Sequence, residues 1–238
     1  MQIQHSHFGN NASLRTALKR GLARQAMSHA AQAEADVAAL VRISTNMRPN
    51  AKAMHRLAQQ LASRKGVVKV AKGDEGLVVF VRNVCQIRNQ IDQQELFTEM
   101  ALVYTRFAIR CLRTGVGYHV SRASFCLHAL ERLVERSGIA LDRPLLPVAD
   151  QEALRVLRGL VQGRDFTENG DHFVPAVANG VWAGGVDQAA LDEDWGLVCK
   201  DAAGVPLFSA RTFLSEDEMR PTVWYSWKKG TSDRSTTS

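Results

Sequence analysis

His128 is the residue whose type and placement could most directly do chemistry. Read as one helix from Ser121 or Ser124 to Gly138, its stretch steps about 100° per residue. Cys126, Leu127, Leu130, Leu133 and Val134 then share one side, and His128 falls nearly opposite. An imidazole titrating near neutrality can move a proton or meet a phosphate. Arg132 and Glu135 sit beside it, one and two turns on, and Glu131 and Arg136 border them. The same face also reads as ordinary solvated helix surface, laced by Glu131–Glu135 and Arg132–Arg136 neighbours.

A second set of residues could bind rather than react. Asn50 can cap a helix over 51–64, with Met54, Leu57, Ala58 and Leu61 on its apolar side and Gly66 after it. Two β-branched runs, 67–70 and 77–81, flank a Gly-rich loop and predict a hairpin. A helix followed at once by a hairpin is the order of a winged helix-turn-helix, here over residues 50–82. Lys52, Arg56, Arg64 and Lys65 then lie on or just after the recognition helix, facing phosphates.

Charge placement agrees with a nucleic-acid partner. The net charge of +6 is uneven: residues 1–65 hold 10 Lys+Arg against 2 Asp+Glu, and residues 161–238 hold 7 against 12. A basic front suits nucleic acid or an acidic protein partner, and equally a solubilising surface or a face docked on the chain's own acidic back.

Other chemistries lack their signatures. The four cysteines are scattered, with no CxxC or Cys/His zinc spacing, so no metal site is expected. No phosphate loop, dinucleotide fingerprint, nucleophile elbow or HExxH occurs, and no cofactor is expected. No apolar run is long enough to cross a bilayer. With no charged-then-apolar opening and with free thiols, the expected location is the cytoplasm, with no membrane partner.

These residues must be held by elements that the pattern predicts as follows. An alanine-rich helix runs from about Ser13 to Ile43. A capping-box-like Asp92–Glu95 opens a helix to about Arg113, with Leu96, Met100, Val103, Phe107 and Leu112 as core. After the helix carrying His128, Asp150 caps a helix to about Val161. Asn179-Gly180 joins two strands as a hairpin, and Asp201–Gly204 joins Trp195–Lys200 to Pro206–Leu214. Ser215–Glu218 is a capping box. The resulting fold class is α+β: a helical N-terminal half (1–117) with one hairpin near 67–82, and a C-terminal half (118–229) of two helices on a four-stranded antiparallel sheet. Residues 230–238 read as a disordered tail.

Within residues 121–219, three segments carry a likeness: His128–Arg136, Gly180-Val181-Trp182-Ala183-Gly184, and Ala210–Ser215. Together they resemble the barnase/EndoU/RelE-type superfamily of metal-independent ribonuclease and toxin domains. The resemblance implies transesterification by the 2′-hydroxyl of RNA. His128 would move the proton, Arg132 or Arg211 would stabilise charge on the phosphorane, and Thr212 would bond a phosphate oxygen. By strand alternation, Arg211 and Thr212 face opposite sides and cannot share a pocket without a bulge. Two functions are therefore expected. The first is a nucleic-acid-directed protein with a ribonuclease-toxin-like C-terminal domain, active or degenerate. The second is a non-enzymatic DNA-binding regulator that uses 50–82 and carries a C-terminal partner-binding module.

Overall fold

A computed structural model describes residues 8–47, 50–73, 76–91, 94–113, 115–197 and 204–232. Helices α1 (Phe8–Ala31), α2 (Val37–Thr45) and α3 (Ala51–Ala62) lead into strands β1 (Val67–Gly73), β2 (Gly76–Ile91), β3 (Gln94–Leu112) and β4 (Gly115–Cys126). Two helices follow, α4 (Leu127–Arg136) and α5 (Leu146–Val161). Strands β5 (Phe166–Glu168), β6 (Asp171–Pro175), β7 (Gly180–Ala189) and β8 (Val205–Ser215) come next, and α6 (Pro221–Ser232) is last.

All eight strands form one sheet in the order β1-β2-β3-β4-β8-β7-β6-β5. Each half contributes an antiparallel meander. The two meanders meet through a short parallel ladder, Arg122–Phe125 of β4 against Leu207–Ala210 of β8. This overturns the expected architecture of a mainly helical front and a separate four-stranded antiparallel sheet. The division expected at residue 117 falls inside β4, in the middle of the sheet.

Two misread stretches account for most of that difference. Residues 94–112 are a strand, not a helix: Val103, Thr105, Phe107 and Ile109 face one side, and Leu102, Tyr104 and Ala108 the other. Both sides are buried, so the sequence has no polar alternation to betray the strand. Ser121–Cys126 is also strand. Ser124 lies within β4 opposite Val103, and it is the Cys126 sulfur that caps α4, accepting the Ala129 amide at 3.4 Å. The alanine-rich helix breaks at residues 32–36, where the Asp36 carboxylate accepts the Ala39 amide at 2.8 Å and starts α2. Helix α3, the β1–β2 hairpin and the β6–β7 hairpin form where local chemistry places them. The antiparallel partner of β8 is β7 rather than a strand after Trp195, which lies in a 3-10 turn; residues 198–203 of that expected hairpin lie outside the described residues. The Ser215/Glu218 capping box is present. Helix α6 runs through Ser232, so residues 230–232 are helical, and 233–238 lie outside the described residues.

Helices cover both faces of the sheet. On one side α1, α4 and α5 bury Phe80, Tyr104, Phe125, Trp182, Phe208 and Phe213. Four of these rings run edge-to-face across the junction, Tyr104–Phe125–Trp182–Phe213, with centroids 5.8, 4.8 and 5.4 Å apart. Such pairs contribute roughly 0.5–1.5 kcal/mol each beyond area burial, so they bind the two meanders where the ladder is only four residues long. On the other side α2 and α3 cover Leu77, Val79, Val81, Phe107 and Ile109, while Val223 and Trp227 of α6 cover Phe173, Val181 and Ala183. No helix among the described residues is long and apolar enough to cross a membrane.

Candidate nucleic-acid interface

Between Val37 and Gly73 the chain carries Arg42, Arg48, Lys52, Arg56, Arg64, Lys65, Lys69 and Lys72 and not one Asp or Glu. Three elements arrange this run. The Asn50 side chain accepts the Ala53 amide at 2.8 Å and fixes the first turn of α3. Leu57 and Leu61 then bury against the sheet, which leaves Lys52, His55, Arg56, Gln59 and Gln60 exposed along the outer face. Edge strand β1 adds the exposed Lys69 and Lys72. Charge on an edge strand also discourages edge-to-edge pairing, so these two lysines serve the fold whatever else they do.

Helices α2 and α3 leave a groove of about 440 Å³ between them. Ile43, Met47, Ala53 and Leu57 line its apolar part, and Asn50, Lys52, Arg56 and Gln60 its polar part. Helix α2 is clamped to the sheet by Tyr118, whose hydroxyl lies 2.7 Å from Ser44 Oγ and 2.8 Å from Thr45 Oγ1. The groove wall therefore does not rest on helix contacts alone.

The four basic residues expected to bind nucleic acid divide into two pairs. Lys52 and Arg56 share the α2–α3 groove. Arg64 and Lys65 line a separate hollow of about 250 Å³ with Glu34 and Asp36. Those carboxylates are already engaged, Glu34 accepting the Val84 amide at 2.9 Å and Asp36 capping α2. They still offset the positive potential there, so Lys52 and Arg56 stand in the cleaner basic field.

The residues expected to catalyse are arranged differently. His128 is exposed on α4, and its Nε2 accepts Arg132 Nε at 3.4 Å. Arg132 Nη1 lies 2.6 Å from Glu135, and that bond, more than the charge, holds the Glu135 carboxyl below its ordinary range. On β8, a register skip opposite Ala183 and Gly184 makes Arg211 the extra residue of a bulge, so the condition for Arg211 and Thr212 to turn the same way is met. The Arg211 guanidinium lies against Gly185, where a Cβ would stand 3.3 Å from Nη2. The guanidinium beside Thr212 is that of Arg136, which donates to the Phe213 carbonyl at 2.6 Å and pairs with Glu218 at 2.8 Å. Among the described residues no hydrogen bond or ion pair joins His128 or Arg132 to Arg211 or Thr212. None of the four described cavities is lined by any of them.

No group of three or more His, Cys, Asp and Glu side chains among the described residues could hold a metal ion. The chain matches no family model, no curated protein and no solved structure. Charge and capping in the sequence point to Lys52 and Arg56, which the structure places in the groove. They do not point to Ile43 and Met47, because their place in the groove depends on how α2 crosses α3, which no local pattern encodes.

Proposed function

We propose that the chain binds duplex nucleic acid through α3 and the β1–β2 hairpin, as a non-enzymatic regulator would. The observation that carries this reading is the unbroken acid-free run 37–73, folded so that α3 turns Lys52, His55, Arg56, Gln59 and Gln60 outward. A helix of 12 residues is about 18 Å long, and the major groove, about 12 Å wide, admits one. Lysine and arginine supply the phosphate contacts that dominate affinity. Glutamine and arginine also have the forked geometry that pairs with adenine and guanine edges. Lys69 and Lys72 sit where a wing would touch the neighbouring backbone. Nothing in the geometry around His128 favours the ribonuclease reading over this one.

The test is fluorescence anisotropy with a short labelled duplex at several salt concentrations. Log affinity should fall linearly with log salt. In the double variant Lys52→Ala/Arg56→Ala the slope should flatten by about 1.8, since each lost phosphate contact removes about 0.9. No binding at about 50 mM salt, or an unchanged slope in a variant that melts like the wild type, would dispose of the reading.

A further inference from the structure

The side of the sheet that α2, α3 and α6 cover is not apolar throughout. Its apolar residues fall in two separate clusters, one under α2 and α3 and one under α6. Polar residues stand between them, where the two meanders meet. Thr105 of β3 pairs with Arg122 of β4, Arg122 pairs with Leu207 of β8, and Ser124 pairs with Ser209. Paired residues share a face. Thr105, Arg122, Ser124 and Ser209 therefore lie together on this side, at 2%, 8%, 2% and 8% exposed. Arg211 joins them from the bulge of β8. Gly185 pairs with Ser209, and the Arg211 guanidinium lies where a Gly185 side chain would point.

Arg122 is the anomaly. A buried guanidinium is ordinarily matched by a carboxylate, because its charge has left water. Its Nη1 donates to the Ala190 carbonyl at 3.1 Å, and the group lies 5.6 Å from the Trp195 ring centroid. Its Nε has no partner, and no ion pair to it forms among the described residues. Asp187, on the next strand, and Asp192, in the following loop, are both exposed, where water and salt screen them. Burial holds the guanidinium below its ordinary value against the pull of Cys85 and Asp192. Ser209 Oγ is also buried without a partner. Arg211 is exposed, and among the described residues its side chain makes neither a hydrogen bond nor an ion pair.

Two guanidiniums thus bracket a buried hydroxyl. Arg122 stands two ladder positions before Ser209 and Arg211 two residues after it, with Ser124 alongside. A phosphate carries about −1.5 to −2 charges at pH 7 and three strong acceptor oxygens. A carboxylate brings one charge and two oxygens. We propose that this patch binds a phosphate group, free or on a small organic molecule, with Arg122 Nε and Ser209 Oγ as buried donors and Arg211 closing over it from the rim. Donors this deep lie beyond a duplex backbone, whereas the exposed Arg211 side chain can swing aside for a small ion. The site shares no residue with α3 or β1 and stands if the duplex-binding reading fails.

The test is thermal melting and titration calorimetry of the whole chain at fixed ionic strength. Chloride is the reference, and inorganic phosphate, glycerol 3-phosphate and acetate are the probes. Expected is a melting temperature that rises with phosphate or the ester and not with acetate, since a ligand bound only by the folded chain stabilises it. A stronger response to the ester assigns the phosphate to an organic molecule, and a stronger response to inorganic phosphate assigns it to the free ion. Arg211→Ala should melt like the wild type and weaken binding about tenfold. Arg122→Met should abolish the response while the ligand-free chain melts at or above the wild-type temperature, because an unpaired buried charge is exchanged for an apolar side chain. Ser209→Ala removes one buried donor and no charge; it should also weaken binding, and it keeps the test decisive if Arg122→Met does not fold. No response beyond chloride, an equal response to acetate, or affinity unchanged in Arg211→Ala and Ser209→Ala would overturn the inference. So would a response lost in Lys52→Ala/Arg56→Ala, since the phosphate would then sit on α3.

Discussion

Removing the Glu152 carboxylate probes the link between the core and the β6–β7 turn. Glu152 is 1% exposed, and its carboxylate accepts the amides of Val177 at 2.9 Å and Ala178 at 2.8 Å, and the Trp182 indole at 3.0 Å. The loss of these three charge-assisted bonds is unequal. Val177 and Ala178 lie at an outward turn, so water can replace the carboxylate at their amides. The Trp182 indole cannot be served that way, because its ring is fully buried. A stranded buried donor costs about 1–3 kcal/mol. Truncation to alanine also removes packing worth about 0.8 kcal/mol per methylene. Relief from burying a charge works in the opposite direction. Glu152→Ala should therefore destabilise by about 2–3 kcal/mol, a large share of the 5–15 kcal/mol typical of a whole domain. Glu152→Gln keeps the volume and one acceptor oxygen but turns an amide NH2 toward a donor, so it should cost about 1–2 kcal/mol. Urea unfolding followed by tryptophan fluorescence measures both, and hydrogen exchange at the Trp182 indole locates the effect. Two variants within about 0.5 kcal/mol of the wild type, with the indole still protected, would refute the account.

Three further outcomes follow from individual sites. Glu216 is held at about 2, below its ordinary 4.5, chiefly by bonds from Lys228 and then from Trp224 and Asn179. Because the folded value is the lower one, its contribution is complete above about pH 4.5 and is lost as pH falls toward 2; an acid titration of fluorescence should show this step, and Glu216→Gln should lack it. Burial pushes the Cys126 thiol up to about 11, so iodoacetamide at mildly alkaline pH should alkylate the exposed Cys111 first and reach Cys126 only on unfolding, as mass spectrometry of the peptides would report. A methyl group at Gly184 would overlap the Ser209 carbonyl oxygen, a backbone atom that cannot swing away. Gly184→Ala should thus cost about 3 kcal/mol or more, against about 1 kcal/mol for Gly163→Ala, which has open space and only a left-handed backbone to accommodate. Equal melting shifts in the two variants would count against the packing argument.

What was legible in the sequence was local. Asn50, Leu57, Leu61 and Gly66 announce α3 because cap, stripe and stop lie within 17 residues of one another. Asn179-Gly180 announces the β6–β7 turn for the same reason. The failures share a different cause. Residues 101–109 bury both faces of β3, and a strand sandwiched between helices carries an apolar run that a helix could equally carry. Residues 121–138 change from strand to helix at Cys126 with no glycine, proline or oxygen cap to mark the change. The partner of β8 is the least readable of all, since the β4–β8 ladder joins residues more than 80 positions apart.

The candidate surfaces divide along the same line. The basic face was visible because charge is additive along a chain: eight cations without a carboxylate over 37–73 remain a positive surface under almost any fold. The phosphate site was invisible because its parts come from β4 and β8, and neither Arg122 nor Ser209 differs, as a letter, from an ordinary surface residue. One anomaly open to a reader was Glu152, a carboxylate among Ala149, Ala153 and Val156 on the buried face of α5. A charge at such a position must be answered by donors brought from elsewhere in the chain. Here the donors belong to an exposed turn, and that is why a residue of the core becomes the anchor of a surface.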